Sequence, residues 1–170
     1  VSQTSEFGTA TVVTADNEQI DIAMTRKETY ESPGTLPDVG SGSLDEDLRR
    51  RDFTINAMAV DLTPTGWGAL SDPLRGQSDL VMRKLRVIHP NSFIDDPTRV
   101  FRAIRYATRL GFSIDPGTAE LISTGNGHMD SVSPARVLAE LVKMLDETTR
   151  IEALLAADEA GLLAAVHPAL

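Results

Sequence analysis

Residues 95–111 read Asp-Asp-Pro-Thr-Arg-Val-Phe-Arg-Ala-Ile-Arg-Tyr-Ala-Thr-Arg-Leu-Gly, and they decide the fold of the second half of the chain. Asp96 can cap a helix, Pro97 suits its first position, and Gly111 suits the residue after its end. At about 100° per residue, four arginines share one arc of roughly 120°: Arg99, Arg102, Arg105 and Arg109. Five apolar side chains form a stripe beside that arc: Val100, Ala103, Ile104, Ala107 and Leu110. The pattern predicts an amphipathic helix with one basic face.

This basic face stands out because the chain as a whole is acidic. The net charge is −9, from 16 basic and 25 acidic residues, which taken alone argues against a nucleic-acid binder. Residues 83–109, however, hold 7 basic and 2 acidic residues, and Arg49-Arg50-Arg51 form a second basic run. Local charge decides where a phosphate binds. The alternative is a solvated helix face whose arginines are neutralised by acidic residues elsewhere in the fold.

Composition excludes several other classes of protein. With 170 residues, 41% of them apolar and 24% charged, the chain fits a folded globular protein. No run approaches the roughly 20 apolar residues that span a membrane. The absence of Cys excludes disulfides, thiolate metal sites and a Cys nucleophile, and it suits the reducing cytoplasm in which we place the protein. The first residues do not resemble a signal peptide.

The first half of the chain has strand patterns. Residues 9–14 are rich in β-branched side chains and residues 19–24 alternate polar and apolar, so a turn between them predicts an antiparallel hairpin. Residues 27–43 predict a long flexible loop because they are rich in Pro, Gly and Ser. Short helices are predicted from Leu44 to Arg50 and from Phe53 to Val60.

Helical patterns follow in the second half. Further helices are predicted from Asp115 to about Thr124, from Ser133, from Arg150 to Ala157 and from Leu162 to Val166. The order of strands first and helices afterwards predicts an α+β fold, divided into residues 1–82 and residues 83–170.

Three motifs carry a resemblance to a known family. Arg50-Arg-Asp-Phe-Thr-Ile-Asn-Ala57 resembles a signature of the class II CCA-adding tRNA nucleotidyltransferases and the bacterial poly(A) polymerases, within the polymerase-β-like superfamily. Asp72-Pro-Leu-Arg-Gly-Gln-Ser-Asp-Leu80 is similar to their next motif. The stretch from Asp95 to Arg105, followed by Leu110-Gly-Phe112, resembles their nucleotide-recognition motif. The resemblance covers nearly the whole chain.

The resemblance implies a fold and an activity. The fold is part of an antiparallel-sheet head followed by an all-helical neck and body, the latter being the nucleotide-recognition and RNA-binding region. The activity is template-independent addition of CCA, from CTP and ATP, to the 3′ end of tRNA. In this chemistry the 3′ hydroxyl attacks the α-phosphate while two Mg²⁺ ions hold the attacking and leaving oxygens. The implied partners are therefore tRNA, ATP and CTP, with no membrane.

The resemblance also implies roles for individual residues. Arg50 and Arg51 would lie near the triphosphate, Asp52 near the ribose, and Asn56 would help to hold the site. Capping and packing are the alternative for Asn56.

Asp96 and Arg99 match the pair that reads the incoming base in the family. A carboxylate accepts from an amino group and an Arg donates to a ring nitrogen or carbonyl, so the two can present a Watson–Crick-like edge. Arg102 and Arg105 complete the nucleotide-binding set on the basic face. A plain capping role is the alternative for Asp96.

The implied catalytic and metal-binding residue is Asp21, as the third carboxylate beside a metal-binding pair. An ordinary exposed strand Asp is the alternative. Arg136 and Glu140 resemble a degraded later motif, in which Ala135 replaces a Glu, and their spacing favours a simple helical ion pair.

The family's upstream Gly-Gly segment and its Asp-x-Asp pair on a strand have no match in this sequence, so we expect an internal piece of a longer enzyme that is inactive alone. A poly(A) polymerase and a CC-only or A-only adding enzyme remain alternatives. A non-catalytic RNA-binding module and a structural helical domain are the alternatives outside this class.

Overall fold

The computed structural model describes residues 8–169. Its first part contains strands and two short α-helices: β1 Thr9–Val13, β2 Gln19–Ala23, β3 Arg26–Thr29, β4 Asp38–Ser41, α1 Leu44–Arg49, β5 Ala59–Val60, β6 Leu70–Ser71, α2 Gly76–Val81. Helices dominate the second part: β7 Lys84–Leu85, α3 Ser92–Asp95, α4 Arg99–Leu110, β8 Ser113–Ile114, α5 Pro116–Glu120, α6 Ile122–Asn126, α7 Pro134–Leu145, α8 Arg150–Glu159, α9 Leu162–Val166. The predicted α+β class is confirmed.

The strands form four separate pairs within the described residues. β1 pairs with β2, β3 with β4 and β5 with β6, all antiparallel, whereas β7 and β8 form a parallel pair of two residues each. The helical half therefore contains one short sheet element that the sequence did not predict. None of the helices within residues 8–169 is long and apolar enough to cross a membrane.

Two local predictions were wrong. Residues 27–43 form the β3–β4 hairpin instead of a flexible loop, with Arg26 opposite Ser41 and Thr29 opposite Asp38. A ladder satisfies the backbone groups of this polar segment, and Pro33, Gly34 and Pro37 lie in the connection between its strands. The helix predicted from Phe53 to Val60 is replaced by a 3₁₀ turn, Thr54–Asn56, and strand β5, and Phe53 itself pairs with Val87 across a β-bridge.

Helix α4 is the centre of the hydrophobic core. Its buried apolar face consists of Val100, Phe101, Ala103, Ile104 and Ala107. Phe53, Phe93, Met144, Ala153 and Leu162 complete the same cluster from the surrounding elements. The helix begins at Arg99, two residues later than predicted, and ends before Gly111, whose φ of +63° supplies the left-handed cap. Leu110 is exposed, so the buried stripe ends at Ala107 and not at Leu110, and it includes Phe101, which the pattern left out.

Residues 50–57 are fixed against the second half by a polar network. The backbone N–H of Thr54 donates to the carbonyl oxygen of Arg86 at 3.0 Å, and the Thr54 hydroxyl donates to Asp79 at 2.7 Å. Arg86 in turn donates to Asp79 at 3.1 Å and pairs with Asp115 at 3.1 Å. These bonds raise the pKa of Arg86, chiefly through its bond to Asp79. The network therefore holds the 50–57 motif in one position.

Gly76 allows helix α2 to approach this motif closely. A Cβ at Gly76 would lie 2.1 Å from the carbonyl oxygen of Thr54, which is backbone and cannot swing away. We predict that Gly76→Ala lowers the free energy of unfolding by about 1–3 kcal/mol, the usual cost of overpacking. Urea unfolding measures this effect.

Gly117→Ala is the matched control, because its Cβ would meet nothing closer than 3.4 Å, at an Asp115 carboxylate oxygen. Equal stability of the two variants would contradict the close contact at Gly76.

Candidate functional site

A polar cleft of about 790 Å³ opens where residues 50–57 face α4 and α7. Seven cationic side chains line it: Arg26, Arg50, Arg51, Arg99, Arg102, Arg136 and Lys143. Four carboxylates line it as well: Glu28, Asp52, Asp96 and Glu140. The cleft is therefore locally positive in a chain whose net charge is −9. Such a surplus suits an anionic ligand.

Seven of the eight predicted nucleotide-binding residues line this cleft: Arg50, Arg51, Asp52, Asn56, Asp96, Arg99 and Arg102. Two stretches that lie about forty residues apart in sequence supply them. The β-bridge of Phe53 to Val87 brings the first stretch beside the second half, and α4 presents the other. The fold thus assembles the residues into one place.

Asp52 joins the two stretches. Its side chain is buried, and Oδ1 accepts from the backbone N–H of Phe53 at 2.8 Å and from Asn56 Nδ2 at 3.0 Å. Oδ2 accepts from Arg102 Nε at 2.8 Å. Burial alone would lower the pKa of Arg102, but the charge of Asp52 and this bond raise it. Asp52 therefore holds α4 against the 50–57 motif, and Asn56 supports it.

Asp47, which the sequence analysis did not single out, organises the neighbouring arginines. It is buried, and it accepts from Arg50 Nη2 at 2.8 Å, Arg51 Nη2 at 3.0 Å and the backbone N–H of Arg26 at 3.2 Å. Burial raises the pKa of Asp47, but these donors lower it by a larger amount. The pKa of Asp47 therefore lies below its usual value. The Arg51 side chain remains 41% exposed, which leaves it accessible to a ligand in the cleft.

Arg99 is buried without a carboxylate partner in residues 8–169. Its Nη1 donates to Ser92 Oγ at 2.9 Å, and its Nη2 donates to the carbonyl oxygen of Arg50 at 3.0 Å and to the Tyr30 hydroxyl at 3.4 Å. All of these acceptors are neutral oxygens. The guanidinium is therefore held firmly by dipoles while its charge stays uncompensated, which is a suitable arrangement for an incoming ligand.

Asp96 keeps one carboxylate oxygen available. Its Oδ1 accepts from the Thr98 hydroxyl at 2.6 Å, the Thr98 backbone N–H at 3.1 Å and Arg136 Nη2 at 2.9 Å. No hydrogen bond reaches Oδ2 from the described part of the chain. Asp96 therefore does not cap α4, since Thr98 is the residue that precedes the helix, and its carboxylate combines local bonds to Thr98 with one open acceptor.

Arg105 does not line the cleft, although the sequence grouped it with the nucleotide-binding arginines. It is buried, and it pairs with Glu147 at 3.1 Å and with Glu140 at 3.7 Å. Arg109 also pairs with Glu147, at 3.2 Å. Arg105 and Arg109 are thus neutralised by acidic residues from elsewhere in the fold, which was the alternative to a phosphate-binding face. Nucleotide binding by Arg105 remains a prediction.

The predicted ion pair between Arg136 and Glu140 was wrong. Arg136 reaches into the first half, where it donates to the carbonyl oxygen of Gly34 at 2.8 Å, and it also donates to Asp96 within the second half. Glu140 accepts from Lys143 instead, at 2.7 Å. Spacing along a helix could not reveal that a carboxylate from another element lies closer.

Asp21 lies away from the residues that line the cleft. It sits on exposed strand β2, and its carboxylate accepts from the Thr11 hydroxyl at 2.7 Å. Across residues 8–169, no group of three or more His, Cys, Asp or Glu is arranged to hold a metal ion. The metal-binding role of Asp21 therefore remains a prediction.

Sequence reasoning also missed Glu28 and Tyr30. Both lie on or beside β3 and line the cleft. Glu28 pairs with Arg26 at 3.0 Å and Arg50 at 2.9 Å. The alternating order of Arg26, Glu28 and Tyr30 was the available signal, because residues at a spacing of two share one face of a strand.

The Asp52–Arg102 pair should carry measurable energy because it is partly buried. We predict that a double-mutant cycle with Asp52→Asn and Arg102→Met gives a coupling energy of about 1–2 kcal/mol in the free energy of unfolding.

The pair of Asp45 and Arg49 is the matched control, since both side chains are more than half exposed while the two charges lie at a similarly short distance of 2.7 Å. We expect its cycle to give no measurable coupling. Equal coupling in both cycles would contradict the role assigned to Asp52.

Comparison with known proteins agrees with this geometry. The family described as the poly A polymerase head domain matches residues 1–86, and the probable RNA and SrmB-binding site of polymerase A matches residues 111–170. An A-adding tRNA nucleotidyltransferase of Geobacter sulfurreducens is 46% identical over all of this chain and 20% of its own length.

Solved structures show the same likeness. A CCA-adding enzyme in an apo form superimposes with a TM-score of 0.93 at 38% identity, over 98% of this chain and 40% of that one. A tRNA nucleotidyltransferase complexed with a primer tRNA and an incoming ATP analogue gives 0.85 at 33% identity, over 98% and 46%. The chain thus spans about a fifth of its curated relative from Geobacter. Together the matches show that the chain belongs to the family of the CCA-adding tRNA nucleotidyltransferases and bacterial poly(A) polymerases.

Proposed function

We propose that this protein adds nucleotides from CTP and ATP to the 3′ end of tRNA without a nucleic-acid template, so that it builds the CCA end. One observation carries the proposal: a single positive cleft joins Arg50 and Arg51 to the pair of Asp96 and Arg99. The relatives named above act on tRNA, and one was solved with tRNA and an ATP analogue. A role in tRNA maturation places the protein in the cytoplasm.

Base selection falls to Asp96 and Arg99. Cytosine and adenine both carry an exocyclic amino group beside a ring nitrogen that lacks a hydrogen. Asp96 Oδ2 is suited to accept from the amino group, and the Arg99 guanidinium is suited to donate to the ring nitrogen. In uracil and guanine the corresponding ring nitrogen carries a hydrogen, so it would meet the donors of Arg99 unfavourably. Two side chains thereby replace a template.

The triphosphate falls to the arginines of the motif. Arg51 is exposed to the cleft. Arg50 lies beside it, and both arginines donate hydrogen bonds to the carboxylate of Asp47. A polyanion can share these guanidiniums because each retains further N–H donors. We assign the triphosphate-binding side to residues 1–82 and the base-reading side to residues 83–170.

Nucleotidyl transfer needs a metal ion, and we propose Mg²⁺. The ion would stabilise charge on the reacting phosphate oxygens when bound. The residues from Gly8 to Ala169 hold no complete set of ligands, so Asp21 would supply at most one ligand position.

A second candidate is addition of A alone. The Geobacter relative is an A-adding enzyme, and it is 46% identical over the whole of this chain. The geometry of Asp96 and Arg99 suits both bases and does not separate the two activities.

The test is incorporation by the full-length gene product on tRNA that lacks the whole CCA end, the last two of its nucleotides or the last A, with CTP and ATP offered separately and together. CCA addition predicts extension of all three tRNAs when both nucleotides are present. A-only addition predicts that, of the three tRNAs, only the one that ends in CC is extended.

We further predict that Asp96→Ala and Arg99→Ala lower discrimination against UTP and GTP by about tenfold or more, because each variant loses about one charged hydrogen bond to the base.

Leu138→Ala provides a control at an exposed apolar position outside the cleft, and it should leave discrimination unchanged. Long adenosine tails on any RNA would identify a poly(A) polymerase instead. RNA binding without incorporation would identify a non-catalytic module, and unchanged discrimination in both variants would refute the base-reading pair.

A further inference from the structure

We propose that Tyr30 is a positioning residue for base selection, because its hydroxyl holds the Arg99 guanidinium in the orientation that reads the base. The inference rests on the proposed function. Its basis is the chain of hydrogen bonds that runs from Glu28 through the Tyr30 hydroxyl to Arg99.

The Tyr30 hydroxyl makes two bonds of opposite direction. It donates to Glu28 Oε2 at 3.1 Å and accepts from Arg99 Nη2 at 3.4 Å. The proton therefore points to the carboxylate, and the oxygen lone pair faces the guanidinium. Burial raises the pKa of Tyr30 to about 12, opposed by the charge of Arg99 and assisted by Glu28 and Asp96. The hydroxyl consequently stays protonated at physiological pH, and the direction of the chain of bonds is fixed.

Glu28 is anchored independently of Tyr30. It pairs with Arg50 at 2.9 Å and with Arg26 at 3.0 Å, and its side chain is largely buried. An acceptor fixed in this way fixes the hydroxyl that donates to it. Tyr30 thus transmits a rigid position from β3 to the second half of the chain.

Tyr30 supplies a contact to Arg99 that the other partners do not replace. Ser92 takes Nη1, and the carbonyl oxygen of Arg50 takes one hydrogen of Nη2. The remaining hydrogen of Nη2 points to Tyr30. Because the guanidinium is planar, a restraint on that hydrogen limits rotation of the whole fork. A loosened fork could move aside for uracil or guanine, so the selection against them would weaken.

The experiment measures kcat/KM of the full-length gene product for CTP, ATP, UTP and GTP. Tyr30→Phe removes the hydroxyl and keeps the ring. We expect discrimination against UTP and GTP to fall about three- to tenfold, the loss expected for one hydrogen bond. Because Arg99→Ala removes the group being positioned, Tyr30→Phe should change discrimination no further in that background.

Thr35→Val is the matched control. It also removes a hydroxyl from the β3–β4 hairpin, but that hydroxyl donates to the carbonyl oxygen of Ser32 at 2.7 Å, within the hairpin. In this variant, discrimination against UTP and GTP should equal that of the unaltered protein. If Thr35→Val lowered discrimination as much as Tyr30→Phe, general loosening of the hairpin would be the cause and the proposal would be overturned.

A second variant covers the case in which Tyr30→Phe fails to fold. Replacement of Tyr30 by 4-aminophenylalanine keeps a donor for Glu28 but offers Arg99 only a weak acceptor, so discrimination should fall here too. Unchanged discrimination in a folded Tyr30 variant overturns the inference. So does a fall in discrimination on Tyr30→Phe that is as large in the Arg99→Ala background as in the unaltered protein. Absence of transfer by the unaltered protein overturns the proposed function, and this inference with it.

Discussion

The ion pair between Asp52 and Arg102 connects the parts of the structure on which the cleft depends. Asp52 belongs to the 50–57 motif, and Arg102 lies one turn beyond Arg99 on α4. When Asp52 holds Arg102, the carbonyl oxygen of Arg50 comes within 3.0 Å of the Arg99 guanidinium. Both ends of the cleft, the arginines of the motif and the residues that face the base, therefore depend on one buried carboxylate. Without it, the partly buried guanidinium of Arg102 would lose the one ion pair that it makes within residues 8–169.

The distribution of charge resolves the conflict between an acidic protein and an anionic ligand. Most of the basic residues of α4 and of the run from Arg49 to Arg51 are neutralised pairwise, as in Arg105 with Glu147 and Arg50 with Asp47. Arg99 is the exception, since it meets only neutral oxygens among the residues that the structure describes. An uncompensated buried cation is costly. Its presence at the cleft is consistent with a site whose electrostatics are completed by a ligand.

Local sequence rules predicted what local physics controls. The helix from Leu162 to Val166, the cap at Gly111 and the hairpin of β1 and β2 all follow from short-range patterns. Motif resemblance located most of the cleft, because Arg50, Asp96 and their neighbours carry specific chemistry.

The remaining features arise from contacts between distant residues. Nothing near Arg136 in the sequence indicates that it reaches Asp96, forty residues earlier, or the carbonyl oxygen of Gly34. Arg105 shares a helical arc with Arg102, yet it faces Glu147 because α7 and its following turn lie beside α4. The β3–β4 hairpin was hidden by the loop-like composition of residues 27–43, and with it the contact of Tyr30 to Arg99. Composition describes a segment, whereas pairing depends on its partner.

The most direct test is a crystal structure of the full-length protein with a non-hydrolysable ATP analogue. We expect the adenine amino group to lie within about 3 Å of Asp96 Oδ2, the ring nitrogen to face Arg99, and the triphosphate to contact Arg51. An analogue bound with its base outside the cleft, or with Asp96 and Arg99 turned away from the base, would contradict it.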